Sequence, residues 1–429
     1  MTTRVPAQRP TRSPWPNRAV VVGGLEDPAA TRRVNTSRGL APAAGIRRFH
    51  WPLGAVSLVL TVFGVVMVFS AARGPIGDNG FGIRQTVFAA GGLVGMITVA
   101  AVDYRRLHRL YPWLLGGAAV LLAGVLTPLG TEVRGTQGWY RVGGVGLQPA
   151  EFAKLAVISG LAVILHGSAR SAGRVRAVLS ETPAIDTERP GLGSEVRGFG
   201  LSVSLLGIAS GLVLLEGETG TVLVYCAIAL GMLMTAGTPV RYLMLLVCSG
   251  VGVIGLALSA GVLAPYQVDR FEAFLNPELD PLGVGYNQQQ AMTAIGSGGL
   301  TGAGLFDGPQ TQLGYLPDQH TDFIFAAVSE ELGFLGAAVL LLLYATQLGF
   351  VFLIGHNCRD RFGTLLCAGV FAMLAFQVFQ NVAMNLRLLP ITGISLPFVS
   401  YGGSSLATSL LAIGLVQSVA IHNAALHRR

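Results

Sequence analysis

Charged residues are scarce in this 429-residue chain, 12% against 52% hydrophobic, and the mean hydropathy of +0.59 excludes an ordinary soluble domain. Apolar runs this dense need lipid to cover them. Lysine is almost missing, Lys154 being the only one. The four cysteines, Cys226, Cys248, Cys358 and Cys367, lie in or beside apolar segments with no C-x-x-C pair, and imply neither a disulfide framework nor a metal site. Of seven histidines only His320 falls in an expected outer loop, and no two have ligand spacing, so a protein-built zinc site is not expected. No G-x-x-x-x-G-K-[ST] occurs, so nothing suggests a cytosolic nucleotide engine. The net charge of +7 would suit nucleic acid, but the positive charge is dealt out among loops rather than gathered on one face. Nucleic acid is therefore not an expected partner.

The chain reads as an all-α polytopic membrane protein. Apolar stretches long enough to span about 30 Å of hydrocarbon run near 53–72, 85–102, 111–129, 150–166, 198–215, 219–236, 242–264, 325–352, 364–386 and 403–424, which predicts about ten transmembrane helices. Residues 1–50 carry nine arginines with many Pro, Gly, Ser and Thr, and read as a disordered basic cytosolic tail. No cleavable signal peptide is visible, so the first helix is expected to direct insertion. Residues 51–425 form the membrane domain and 426–429 a short cytosolic tail. With the N-terminus inside, 22 arginines fall on the inner side and five on the outer, so the positive-inside rule puts both termini in the cytosol. The large extracytoplasmic loop, 265–324, lies between helices 7 and 8. It holds seven acids against Arg270 alone. The outer surface is therefore the expected working face.

Chemistry-bearing residues concentrate in three stretches. The first runs Arg134-Gly-Thr-Gln-Gly-Trp139-Tyr140-Arg141, then Gln148-Pro149-Ala150-Glu151-Phe152-Ala153-Lys154. An aromatic pair between arginines serves either as an interfacial belt or as a contact for an anionic headgroup. Lys154 and Glu151, three apart on one helix face, form either a structural ion pair or a site needing a compact ammonium. The second stretch is the long loop. It includes Asp269-Arg270-Phe271, with apolar spacing at Phe271, Phe274 and Leu275 that predicts a surface helix, and ends His320-Thr321-Asp322-Phe323-Ile324-Phe325, with Glu330 and Glu331 beyond. Asp322 is an acid where the loop re-enters a membrane helix, and either caps that helix or does chemistry. The third stretch, Leu389 to Ser405, includes Ser400-Tyr401-Gly402 and cannot continue a helix. Irregular backbone at membrane depth must pack in protein or line a cavity.

In this order and with these flanks, the three stretches resemble the SEDS family (shape, elongation, division and sporulation), the RodA and FtsW peptidoglycan polymerases, over about residues 50–425. Ala294-Ile-Gly-Ser-Gly-Gly-Leu300 and Gln310-Thr-Gln-Leu313 are more similar to RodA. The chain departs from the family pattern at Gly138, where Arg is common, at Asp318, usually Glu, and at Arg387, usually Gly. The resemblance implies a ten-helix glycosyltransferase that polymerises lipid II outside the plasma membrane of a bacterium, in cell elongation and shape (RodA-like) or in cell division (FtsW-like). It implies Asp322 as the essential acid, and Trp139, Glu151 and Lys154 match family positions important for activity, with Arg270 following Asp269; Arg141, His320 and Ser400 are further expected substrate-binding residues. It implies as partner a class B penicillin-binding protein, a transpeptidase, alongside membrane lipids.

Joining sugars from a lipid pyrophosphate donor needs one base to take the acceptor proton, a role open to Asp322, and cations for the leaving group. Arg141, Arg270 and Lys154 are the candidates. The acidic loop leaves room for a loosely held Mg2+ or Mn2+, although no dedicated cage is readable. The alternative reading is a lipid II flippase that uses Glu151, Lys154 and Arg387 as intramembrane handles. A membrane scaffold for wall enzymes is a third.

Overall fold

The computed structural model describes residues 48–73, 80–133, 136–143, 145–179, 192–259, 270, 274 and 284–423. Contacts divide the chain after Pro42, and every described residue belongs to the second unit, Ala43–Arg429. The expected tail thus lies almost wholly outside the described residues. Its last members are tied down: the His50 backbone N–H donates to Gln417 Oε1 and the His50 carbonyl accepts from Gln417 Nε2, both at 2.9 Å.

The apolar runs fold as α1 (Trp51–Ala71), α2 (Gly80–Ala101), α3 (Leu107–Val125), α4 (Pro149–Leu179), α5 (Leu192–Leu215), α6 (Thr219–Thr235), α7 (Val240–Ser259), α10 (Ile324–His356), α11 (Arg361–Asn385) and α12 (Gly403–Asn423). Two further helices, α8 (Val284–Ser297) and the single turn α9 (Pro309–Gln312), lie between α7 and α10. Among the described residues seven helices are long and apolar enough to cross a membrane: α1, α2, α4, α5, α10, α11 and α12. The apolar parts of α6 and α7 are shorter. The protein is a multi-pass, mostly helical membrane protein.

Sequence and structure differ in two places. Residues 131–147, expected to be a loop, form an antiparallel sheet of β1 (Thr131–Val133), β2 (Thr136–Val142) and β3 (Val145–Leu147). In addition, α10 is broken at Gly333 (φ 65°, ψ −166°). Residues 299–304 fill the break: Ala303 and Gly304 N–H groups donate to the Glu330 and Glu331 carbonyls, each at 3.0 Å. Phe334 and Leu335 N–H groups donate to the Gly299 and Leu300 carbonyls at 2.9 and 3.1 Å. Backbone that leaves the helix is thus paired within protein, as lipid requires. Only glycine fits on the plug side, because a Cβ on Gly302 (φ 83°) would strike the Glu331 carbonyl.

The most enclosed span is α12. A Cβ on Gly414 would lie 2.6 Å from the Met96 carbonyl of α2, so these two helices meet at backbone distance. Residues 386–402, as the prolines and glycines predict, are not helical; Ile391, Ile394 and residues 396–400 are buried in the bundle, while Leu388 and Gly393 are exposed. Gly64 of α1 packs on the Phe398 carbonyl and Gly220 of α6 on the Thr392 carbonyl. Side chains from surrounding helices hold the segment's polar backbone. Gln288 donates to the Leu389 carbonyl (3.0 Å), Asn381 to Ile394 (2.9 Å), Tyr344 to Pro397 (2.5 Å) and Gln85 to Ser400 (3.0 Å).

Candidate active site

Asp322 is half-buried in the turn that leads into α10. The N-cap position of α10 is Phe323, whose side chain offers no cap hydrogen bond. Three consecutive carbonyls of the turn are pinned from outside it. His320 O accepts from the Tyr401 N–H at 2.8 Å, Thr321 O from Ser400 Oγ at 2.6 Å, and Asp322 O from Asn381 and Asn385 Nδ2 at 3.0 and 3.1 Å. Ser400 Oγ also accepts from the Leu396 N–H at 2.8 Å, so its hydroxyl is committed to bridging the buried segment and the turn. The His320 ring stacks on Phe81 at 4.8 Å between centroids and tilts against Tyr401 at 5.7 Å. Asp322 Oδ2 faces Gly393 (φ 70°), where a Cβ would lie 3.9 Å away.

The other side of the buried segment carries a second polar group. Lys154 and Glu151, both buried on the first turns of α4, form the predicted ion pair at 2.5 Å. Gln148, just ahead of α4, donates through its side chain to Glu218 Oε1 and through its backbone N–H to Ser404 Oγ at 3.0 Å. Glu218 also accepts from Thr221 Oγ1 at 3.2 Å. Gly220, two residues on from Glu218, meets Thr392, and Thr392 adjoins the Gly393 that faces Asp322. The acid of α10 and the ion pair of α4 thus lie around one stretch of buried backbone.

Glu216 is 1% exposed and neither carboxylate oxygen has a hydrogen-bond partner among the described residues. Burial, and then the neighbouring Glu218, push its pKa from the ordinary 4.5 up to about 9, so it is neutral at pH 7. Glu218 is shifted upward as well, chiefly by burial. The sheet covers this pair. Gln137 N–H donates to the Glu216 carbonyl at 3.1 Å, and a Cβ on Gly138 would collide with Glu218 Oε1 and lie 3.5 Å from Glu216 Oε2. Side chains alternate across a strand. Gly138 and Tyr140, whose hydroxyl donates to the Leu121 carbonyl at 2.8 Å, face the helices. Trp139 and the exposed Arg141 therefore share the opposite face, where the Trp139 ring covers Gly146.

The sequence-predicted residues are thus partly gathered. His320, Asp322 and Ser400 meet at the α10 turn, Glu151 and Lys154 pair at α4, and Trp139 and Arg141 lie on the sheet. Arg270 is half-buried, with most of 260–283 outside the described residues; Arg134 and the expected surface helix about Phe271 are also outside them. Sequence reasoning passed over Glu216, Glu218, Asn381 and Asn385. A signal existed for each: two acids in a three-residue turn between apolar helices, and two amides four apart on one face of an apolar helix.

These features define a polytopic membrane protein in which acidic and polar side chains gather where its helices give way to irregular backbone. The FtsW/RodA/SpoVE model, described as cell cycle protein, matches residues 51–425, and the chain belongs to this family. It is 35% identical over 84% of its length to the probable peptidoglycan glycosyltransferase FtsW of Trichlorobacter lovleyi, of which it covers 90%. Against stage V sporulation protein E of Bacillus subtilis it is 35% identical over 85% of its length, covering 94% of that protein. To the peptidoglycan glycosyltransferase RodA of Treponema pallidum it is 31% identical over 87% of its length, covering 98%. Among solved structures it is similar to a chain of a peptidoglycan synthase complex that coordinates polymerization and crosslinking (TM-score 0.70, 30% identity, 87% of this chain and 98% of that one). Rod shape determining protein RodA of Thermus thermophilus is also similar (TM-score 0.62, 28% identity, 87% and 97% covered).

Proposed function

We propose that this protein is a peptidoglycan glycosyltransferase that polymerises lipid II into glycan strands, with Asp322 as its general base. The acceptor hydroxyl attacks the anomeric carbon of the donor, its proton passes to the Asp322 carboxylate, and the bond to the lipid pyrophosphate breaks. The pinning of the Asp322 turn at three successive carbonyls carries this reading, because a base must be held to a fraction of an ångström to be effective. A base so placed contributes about 10²–10⁴-fold. Lys154, Arg141 and Arg270 are the cations offered to the leaving group, Trp139 and His320 offer aromatic surface to the substrate, and Glu151 holds Lys154. Ser400 acts through the turn.

The reading includes ten membrane helices with both termini cytosolic, the 265–324 loop outside, and catalysis at the outer face of the cytoplasmic membrane. The positive-inside distribution of arginine supports it. Its partner would be a class B penicillin-binding transpeptidase, in keeping with the synthase complex that the fold resembles. The Ala294–Leu300 and Gln310–Leu313 motifs favour a role in elongation, whereas the relatives named FtsW favour division; the reaction is common to both. Among the described residues no group of three or more His, Cys, Asp or Glu is arranged to hold a metal ion. The proposal of a loosely held Mg2+ or Mn2+ rests on the loop's charge alone, and no step is routed through it.

Gel analysis of glycan chains from purified lipid II tests the reading. Wild type yields polymer, and Asp322→Asn, folded and in equal amount, yields none. Polymer from the variant would remove Asp322 as the base. If neither protein polymerises with a transpeptidase and divalent cation present, and labelled lipid II crosses liposomes in a Lys154-dependent way, the flippase reading takes its place.

A further inference from the structure

Resting on the reading of Asp322 as the base, we propose that Asn381 and Asn385 of α11 are positioning residues that set the Asp322 turn against the irregular 391–395 segment. Both side chains are fully buried. Asn381 divides its amide between two carbonyls, donating to Asp322 O at 3.0 Å and to Ile394 O at 2.9 Å. One planar group therefore ties the backbone of the acid to the segment whose Gly393 faces the acid's carboxylate. Asn385 adds a second donor to Asp322 O at 3.1 Å, and its Oδ1 accepts at 3.2 Å from the Ala326 N–H, which also donates to the Phe323 carbonyl at 3.0 Å in the first turn of α10. The same Nδ2 donates to the Asn381 carbonyl at 2.8 Å, which fixes the rotamer.

The two amides stand four apart, so they share one face of α11. Between them they hold the acid's carbonyl, the first turn of α10 and the buried segment. Neither adjoins the carboxylate itself in these hydrogen bonds. Their effect on turnover is therefore indirect: they fix where the carboxylate is, while Lys154, Arg141 and Trp139 are carried by other elements. Loss of the bridge should lower turnover and leave substrate binding intact.

The test is steady-state polymerisation with binding of labelled lipid II measured on the same full-length preparations. Asn381→Leu, with the same number of side-chain heavy atoms and no donors, is expected to lower kcat at least about tenfold, because an ångström of misplacement is costly in a positioned base. KM is expected to stay within about twofold, and the stoichiometry of lipid II binding to stay that of wild type. Asn385→Ala removes one donor and leaves the Asn381 bridge, and should give a smaller loss in kcat with the same unchanged KM. It also serves if Asn381→Leu does not fold. A loss that appears in KM or binding stoichiometry, or wild-type kcat in both variants, overturns the proposal. Asp322→Asn run alongside separates the two failures, since an active Asp322→Asn removes the base itself.

Discussion

Replacing Glu216 by Gln should make the stability of this protein less dependent on pH. The folded-state pKa of about 9 lies above the ordinary 4.5, so between those values the folded protein holds a proton that the unfolded chain releases. The stabilisation tied to that proton is complete below about 4.5 and is lost as pH rises to about 9, at about 1.4 kcal/mol per unit. From pH 6 to pH 8 the wild type should lose about 2.7 kcal/mol that Glu216→Gln, always neutral, does not lose. The groups facing Glu216 are Glu218 and, through charge, Tyr140 and Tyr225. Lys154 and Glu151 lie behind Glu218. Burial is the larger cause, so Glu218→Gln should flatten the pH dependence only in part. The assay is thermal or denaturant unfolding of purified protein in detergent at several pH values, read as the difference between wild type and variant. Parallel curves between pH 6 and 8 would show that Glu216 does not carry this proton.

Two further outcomes follow from the buried charges. Lys154→Met strands Glu151 as an unpaired buried carboxylate and should cost about 3–5 kcal/mol, seen as a fall in Tm that Glu151→Gln in the same chain partly restores. Glu330 accepts from the Gln310 and Thr311 N–H groups and from Thr311 Oγ1 at 2.6, 3.0 and 2.6 Å. Glu330→Ala leaves these donors without an acceptor and should cost about 3 kcal/mol, with residues 305–313 becoming protease-sensitive before the rest of the chain.

The membrane class was legible because hydropathy adds over a helix, and it takes about twenty residues to make the signal. The residues at the α10 turn were legible for a different reason: an acid, a histidine and the Leu389–Ser405 segment cannot be explained by lipid. The break at Gly333 was not, because hydropathy weighs side chains and says nothing of backbone continuity; Glu330 and Glu331 interrupt the apolar 324–356 run just ahead of it without marking a break. The sheet at 131–147 escaped notice because its seven-residue β2 mixes polar, aromatic and charged side chains without a clean apolar alternation. Asn381 and Asn385 were diluted by apolar neighbours, and their partners at Asp322 lie 59 and 63 residues away in the chain. Glu216 gave only its identity. Its want of a hydrogen-bond partner among the described residues and its proximity to Glu218 exist only once α5, α6 and the sheet have met.

The plug at Gly333 bears on how such a chain enters the membrane during synthesis. Ribosomes deliver residues 299–304 before the segment they complete, so the pairing groups for the break are made before the break itself emerges. A segment that left the insertion channel alone would bring two bare carbonyls and two bare N–H groups toward hydrocarbon, each costing several kcal/mol. The order of the sequence, loop before helix, is therefore also an order of assembly. Moving the 299–304 stretch to a position after α10 in a rearranged chain would keep every contact of the finished fold while removing its route of insertion.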